Sequence, residues 1–239
     1  FEIAVHLGTF LAVVVVYSED LYKIIAAVVG GLVDVRRGRT SLTVWLQDEY
    51  VRLALMIVIG SVPTALIGFT LRDQFEALFS SLTAVGYALL VTGLILWLTA
   101  YRMGGKRSVS GMRFIDAVVI GFAQGAAITP GISRSGTTIA AALFLGFDRR
   151  TAARYSLLLA LPTVLGAGVV DILHSITSPA PVAATPMIVG GVTAAVAGWL
   201  AIKVLLRFLL TGYLFVFSLY CWLVGLLVLA AARFGGIIG

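Results

Sequence analysis

Long apolar stretches separated by short polar connections run along almost the whole chain. Six of them have the length that a helix needs to cross the hydrocarbon layer of a membrane, about 17 to 25 residues. They lack the alternation of polar and apolar residues that is typical of transmembrane β-strands. The pattern therefore predicts an all-α fold, a polytopic helical membrane protein. The six predicted spans are residues 1–17, 50–70, 81–101, 152–173, 187–207 and 213–232.

A further apolar stretch, residues 114–147, has a different pattern. It consists of two apolar pieces, which are joined by a polar decapeptide at 129–138 with the sequence TPGISRSGTT. Each piece is too short to cross the bilayer comfortably as a helix. The polar join therefore falls where a membrane segment should be most apolar.

Basic residues decide how residues 114–147 run, because cytoplasmic loops of membrane proteins are enriched in Lys and Arg. Basic clusters lie in the connections 18–49, 102–113 and 149–154, whereas 171–186 contains no Lys or Arg. A single crossing by 114–147 would place one basic cluster outside the cell. A re-entrant helical hairpin satisfies the rule at every loop. We expect its tip to line a polar cavity, since protein or water must surround non-helical backbone at that depth.

Three predicted spans precede this hairpin and three follow it. This arrangement predicts one integral membrane domain, 1–239, built from two repeats of inverted topology. The first repeat covers 1–101, and the hairpin 114–147 with the three spans in 152–234 forms the second. An equivalent hairpin would precede residue 1, so we expect the chain to be a fragment or a processed form. Residues 18–40 are interpreted as an interfacial amphipathic helix or loop.

Composition excludes a soluble globular enzyme, since 60% of the residues are hydrophobic, 12% are charged and the mean hydropathy is +1.07. An ordinary soluble domain has about 25% charged residues. The net charge of +6 would suggest nucleic acid in a soluble protein. Here the basic residues lie at the ends of apolar segments, so they indicate membrane topology and lipid headgroups, with no nucleic acid as partner.

The tip of the hairpin carries the candidate chemistry. Pro130 and Gly131 should end the first half-helix. Ser133 or Ser135 should cap the second, which leaves free backbone N–H groups where an anion can bind. Arg134 is costly at membrane depth, and its planar guanidinium suits phosphate oxygens.

Arg134 has two other interpretations. It could cap the carbonyl end of a neighbouring half-helix, or it could pair with an acid in a segment that precedes the chain. The nearest acids in the sequence are Asp116 and Asp148, at the two ends of the hairpin.

Several segments resemble blocks of one bacterial family, the undecaprenyl-diphosphate phosphatases, also known as bacitracin-resistance proteins. The most specific is PGISRSGTT, which GFAQGAAI precedes and DRRTAARYSLLLALPTVLGAG follows. The opening FEIAVHLGTFLAVVVVY and the stretch IGSVPTALIGFTLRDQFEALF are similar to other blocks. The resemblance implies a multi-pass enzyme of the bacterial inner (plasma) membrane. It would hydrolyse a C55 polyprenyl diphosphate lipid to the monophosphate and phosphate, so that the carrier is reused for peptidoglycan synthesis.

The resemblance also implies roles for individual residues. Arg134, Ser133 and Thr138 would be catalytic, with Arg134 gripping the diphosphate. Those expected to bind substrate are Gly131, Ser135, Gly136, Thr137, Gln124 and Ser156. A divalent cation, Mg²⁺ or Ca²⁺, would be bound by glutamates expected upstream of Phe1, together with a nucleophilic serine and a histidine. His6 or Glu2 could stand in, or each could be a polar residue at a helix end.

Two other functions and one assembly remain open at this level. Broken helices at the midplane are also typical of transporters, so a lipid-phosphate or anion transporter using Arg134 is the alternative. A catalytically inactive membrane scaffold is a third. A homodimer is a possible assembly.

Overall fold

The computed structural model describes residues 2–101, 105–177 and 184–235; for residues 2–3, 170–177, 184 and 235 it describes the backbone alone. The regular structure of these residues is helical, with eleven α-helices and two short 3-10 turns. The α-helices are α1 Glu2–Val16, α2 Ser18–Arg36, α3 Leu42–Gln47, α4 Glu49–Thr70, α5 Arg72–Phe79, α6 Leu82–Leu98, α7 Phe114–Ala126, α8 Arg134–Phe144, α9 Arg149–Thr177, α10 Ala184–Thr211 and α11 Val216–Gly235.

The predicted all-α membrane fold is confirmed. Within the described ranges, five helices are long and apolar enough to cross a membrane, and they coincide with the second to sixth predicted spans. The first predicted span forms α1, which is apolar but has 15 residues. The segment predicted to be interfacial forms the helix α2, and its location at the membrane interface stays a prediction. Helices α3 and α5 were not predicted. Arg102, part of a predicted basic loop, lies outside the described residues.

Short polar side chains begin several of these helices, because the first turn of a helix leaves backbone N–H groups without a partner. Ser81 accepts a hydrogen bond from the Ala84 N–H at 3.2 Å and so caps α6. Asp148 does the same for α9, where its carboxylate accepts the Thr151 N–H at 2.9 Å. These caps set where the helices flanking the hairpin begin.

The helices divide into two compact units, and the first combines residues 1–58 with 157–207. In this unit α1 packs closely on α10, since a Cβ added at Gly8 would lie 2.2 Å from the Gly191 carbonyl oxygen. Small residues allow such close approach between membrane helices. Elsewhere in the unit, the Trp45 indole N–H donates to the Ala27 carbonyl at 3.0 Å and joins α3 to α2.

The second unit combines residues 59–156 with 208–239 and contains the whole hairpin. Here α6 packs along α11. A Cβ at Gly93 would lie 2.4 Å from the Trp222 ring, and one at Gly86 would lie 2.6 Å from Leu229. The Trp222 indole N–H also donates to the Leu90 carbonyl at 3.2 Å. Glycine is therefore required where the two helices touch, and this contact sets the position of α6.

Residues 114–147 form a helical hairpin, and its re-entry on one side of a membrane stays a prediction. Helices α7 and α8 have 13 and 11 residues, so each is about 20 Å long or less, shorter than the hydrocarbon layer. Arg107 contacts both ends: its guanidinium pairs with Asp116 at the start of α7 and donates to the Leu145 carbonyl, just after α8, at 2.7 Å. The chain therefore turns back on itself. The inverted repeat and the side of the membrane on which each loop lies stay predictions.

We expect Gly93→Ala to lower the thermal unfolding midpoint in detergent, because the added methyl must push Trp222 away from α6. Overpacking of this kind costs about 1–3 kcal/mol. The matched control is Gly166→Ala on α9, where a Cβ would meet no atom within 4 Å. We expect that variant to unfold at the wild-type midpoint or slightly above it. Equal midpoints for Gly93→Ala and the wild type would contradict the close contact between α6 and α11.

Candidate functional site

The loop between α7 and α8, residues 127–133, forms the tip of the hairpin. Helix α7 ends at Ala126, four residues before Pro130, because proline has no N–H to donate to the Ala126 carbonyl. The Thr129 N–H donates to the Ala126 carbonyl instead, at 3.2 Å, and this bond tightens the last turn. Proline thus ends the half-helix, as predicted. Pro130 and Gly131 themselves lie in the turn that follows it.

Gly131 is required in this turn for two reasons. Its φ of +92° lies in the left-handed region, which other residues rarely adopt. A Cβ there would also lie 2.6 Å from the Val85 carbonyl oxygen and 2.9 Å from the Ala88 Cβ, both on α6. The backbone of the loop therefore lies directly against α6.

The cap of α8 is Ser133, one of the two candidates. Its Oγ accepts the Gly136 N–H at 3.1 Å, and its carbonyl accepts the Thr137 N–H at 2.9 Å. A Cβ at Gly136 would lie 2.9 Å from the Ser133 Oγ, so glycine at this position leaves room for the capping side chain.

Two backbone donors remain open at the start of α8. The N–H groups of Arg134 and Ser135 bond to no described residue. The Arg134 guanidinium likewise has no ion pair or hydrogen bond within the described ranges. Three unused donor groups, two backbone N–H groups and one guanidinium, thus belong to one helix N-terminus, which is the environment that an anion needs.

The nearest acids in the sequence are engaged elsewhere. Asp116 is 3% exposed, pairs with Arg107 and accepts the Arg113 N–H at 2.7 Å. The Asp148 carboxylate accepts both the N–H and the hydroxyl of Thr151. In the part of the chain that the structure describes, no carboxylate neutralises Arg134, nor does Arg134 cap a carbonyl end.

The two threonines of α8 differ in what their hydroxyls do. Thr138 is fully buried, and its hydroxyl donates to the Arg134 carbonyl at 2.9 Å. The Thr137 Oγ1 is buried without a hydrogen-bond partner among the described atoms. Thr137 follows Arg134 by three residues, so both lie on the same face of the helix.

Gln124 and Ser156, also expected to bind substrate, are buried. The Gln124 amide donates to the Thr64 hydroxyl at 3.1 Å, and that hydroxyl donates to the Gly121 carbonyl at 2.9 Å. Gln124 thus takes part in the packing of α7 on α4. The Ser156 hydroxyl, on α9, makes no hydrogen bond with any described residue, including those of the loop. Their binding roles stay predictions.

The sequence alone did not single out Thr92, which lies on α6 and is 1% exposed. Its hydroxyl donates to the Gly131 carbonyl at 2.9 Å and accepts the Ser133 N–H at 3.1 Å. The signal was a single hydroxyl in the middle of an apolar span, where such groups usually bond to neighbouring segments. The sequence could not identify its partners, because Gly131 and Ser133 lie 39 and 41 residues away from Thr92 along the chain.

The implied divalent cation stays a prediction. Among the described residues, no group of three or more His, Cys, Asp or Glu could hold a metal ion. The side chain of Glu2, one possible substitute, lies outside the described residues, and His6 lies on α1 in the first unit.

Residues 1–227 match the family model described as Bacitracin resistance protein BacA. Several curated relatives carry the name undecaprenyl-diphosphatase. One from Desulforapulum autotrophicum is 43% identical over 97% of this chain and 83% of its own length. Another, from Methanothermobacter thermautotrophicus, is 47% identical over 74% of this chain and 99% of its own length. A third, from Carboxydothermus hydrogenoformans, is 38% identical over 98% of this chain and 84% of its own length.

We expect Arg107→Met to lower the unfolding midpoint strongly, because it leaves the buried Asp116 carboxylate without its charged partner, at a cost of about 3 kcal/mol or more. The double variant R107M/D116N should recover part of this loss, since no charge is then left unpaired. Lys106→Met, at the exposed neighbouring position, is the control and should match the wild type. A midpoint for Arg107→Met equal to that of Lys106→Met would show that Arg107 does not hold the hairpin ends together.

Proposed function

Because the chain belongs to the BacA family of bacitracin resistance proteins, we propose that it hydrolyses undecaprenyl diphosphate to undecaprenyl phosphate and inorganic phosphate. Five apolar helices make it a multi-pass membrane protein, so the polyprenyl chain of the substrate can stay in the lipid. We place the reaction in the bacterial plasma membrane, where the monophosphate carrier returns to the synthesis of cell-wall polymers.

The observation that carries this proposal is the group of unused donors at the start of α8. The Arg134 guanidinium and the N–H groups of Arg134 and Ser135 have no described protein partner. A terminal phosphate carries its charge on several oxygens, and a guanidinium can bind two of them side by side. The helix N-terminus adds a favourable field for the same anion.

Hydrolysis replaces the bond between the terminal phosphorus and the bridging oxygen with a bond to an oxygen that comes from water. Negative charge builds on the transferred and the leaving phosphate groups as this happens. Donors fixed in place before the reaction stabilise that charge without reorganising, which is the largest contribution in many enzymes. We assign this role to Arg134 and to the two open N–H groups.

The hydroxyls near Arg134 divide into direct contacts and supports. Ser133 Oγ accepts from the Gly136 N–H, so its own proton is free to reach a phosphate oxygen. The Thr137 hydroxyl, which has no described partner, can do the same. The Thr138 proton is directed at the Arg134 carbonyl. We therefore propose that Thr138 supports the backbone of Arg134, whereas Ser133 and Thr137 contact the phosphate.

We expect Arg134→Ala to lower kcat/KM for release of inorganic phosphate from undecaprenyl diphosphate in detergent by at least about 100-fold, since it removes a charged donor from the transition state. Arg134→Lys should recover only part of the rate, because an ammonium cannot bind two phosphate oxygens with a planar fork. Both variants should keep the wild-type unfolding midpoint.

The control is Arg150→Ala, an exposed basic residue in the first turn of α9, and it should leave the rate unchanged. A rate for Arg134→Ala near that of the wild type would contradict the assignment of the phosphate to this helix N-terminus. Absence of phosphate release by the wild-type protein in the same assay would contradict the hydrolase function itself.

A further inference from the structure

Thr92, on the neighbouring helix α6, makes two hydrogen bonds to the loop between α7 and α8. Its hydroxyl donates to the Gly131 carbonyl and accepts the Ser133 N–H, at 2.9 and 3.1 Å. The two loop groups are two residues apart, so one side chain holds both sides of the turn. Because Thr92 is 1% exposed, water has little access with which to replace it.

Thr92 is part of a continuous contact surface on α6. Four residues of this face follow one another at intervals of three or four, which places them on one side of the helix. They are Val85, Ala88, Thr92 and Leu96. Added Cβ atoms at Gly131 would meet Val85 and Ala88, and one at Gly136 would lie 3.1 Å from Leu96. The loop and the first turn of α8 thus pack along about three turns of α6, with Thr92 as the hydrogen-bonding member of the face.

We propose that Thr92 is a positioning residue that determines which backbone groups of the loop face the phosphate. Its hydroxyl holds the Gly131 carbonyl in a hydrogen bond and so keeps it away from the anion, which its partial negative charge would repel. The same hydroxyl accepts the Ser133 N–H and so orients the cap of α8. The N–H groups of Arg134 and Ser135 are then directed at the ligand. This role rests on the proposed hydrolysis of a lipid diphosphate.

The loss of this hydroxyl has a defined consequence. Without it, the partly buried Gly131 carbonyl and Ser133 N–H are left without their partner, and the turn gains other conformations. A shift of the donors by about 1 Å is enough to cost roughly 100-fold in rate. The effect should be on phosphate transfer and only weakly on the association of α6 with α11, which uses Gly86 and Gly93 on another face.

The experiment compares Thr92→Val, which keeps the shape of the side chain, with Thr92→Ser, which keeps the hydroxyl. We expect Thr92→Val to lower kcat/KM for phosphate release by about 10- to 100-fold and Thr92→Ser to stay within about threefold of the wild type. Thr99→Val is the matched control. Thr99 is also buried near the end of the same span, but its hydroxyl bonds to the Leu96 carbonyl of α6 itself.

A second pair of variants keeps the test valid if Thr92→Val unfolds. Thr92→Ala and Thr92→Ser both lack the methyl group and differ only in the hydroxyl. We expect both to have similar unfolding midpoints and Thr92→Ala alone to lose activity. Equal activity of the two would overturn the positioning role.

A double-variant cycle separates positioning from general stability. If Thr92 acts through the donors at Arg134, Thr92→Val should reduce the rate less in an Arg134→Lys background than in the wild type, by at least about threefold, as for residues that act as one unit. Fully additive losses would overturn the proposal. A wild-type protein that releases no phosphate would instead contradict the proposed function, so the two failures are distinguishable.

Discussion

The structure depends on one constraint, which is that non-helical backbone inside a membrane must find its hydrogen bonds within the protein. The loop from 127 to 133, which is predicted to lie at membrane depth, meets this constraint in two ways. Its first half forms tight turns onto the end of α7, where the N–H groups of Ala127, Ile128 and Thr129 bond to carbonyls three or four residues earlier. Its second half lies on α6, where Thr92 bonds to both sides of the turn. The N–H groups of Arg134 and Ser135 at the start of α8 bond to no described residue.

Glycine is found at several close contacts of the second unit, because small residues let helices and loops approach one another. Helix α6 meets α11 on one face through Gly86 and Gly93, and it meets the loop on another face through Gly131. Each contact is too close for a side chain. At the opposite end of the hairpin, Arg107 pairs with Asp116 and binds the Leu145 carbonyl, so both half-helices end at one place. The hairpin is therefore supported at its tip and at its base.

Much of this site could be predicted from local sequence. The lengths of the apolar stretches and the distribution of basic residues predicted a hairpin, because both are properties of contiguous segments. Capping by Ser133 or Ser135 followed from helix chemistry, and the geometry selects Ser133. The direction of the Thr138 hydroxyl did not follow, since a threonine in a helix can bond to its own backbone or to a ligand. Gln124 likewise bonds to Thr64, 60 residues away, a pairing that sequence spacing does not reveal.

By itself the sequence determined the membrane class and predicted the hairpin and an anion partner for Arg134, because hydrophobic length, charge bias and the cost of an unpaired charge at membrane depth can be judged from contiguous segments. Only the tertiary structure decided which groups are free. Asp116 is the acid nearest to Arg134 on one side of the sequence, yet it pairs with Arg107. Thr92 looks like an ordinary polar residue in a span, yet it holds the loop. Hydrogen-bond partners are chosen by distance in space, and folding brings together residues that the chain keeps far apart.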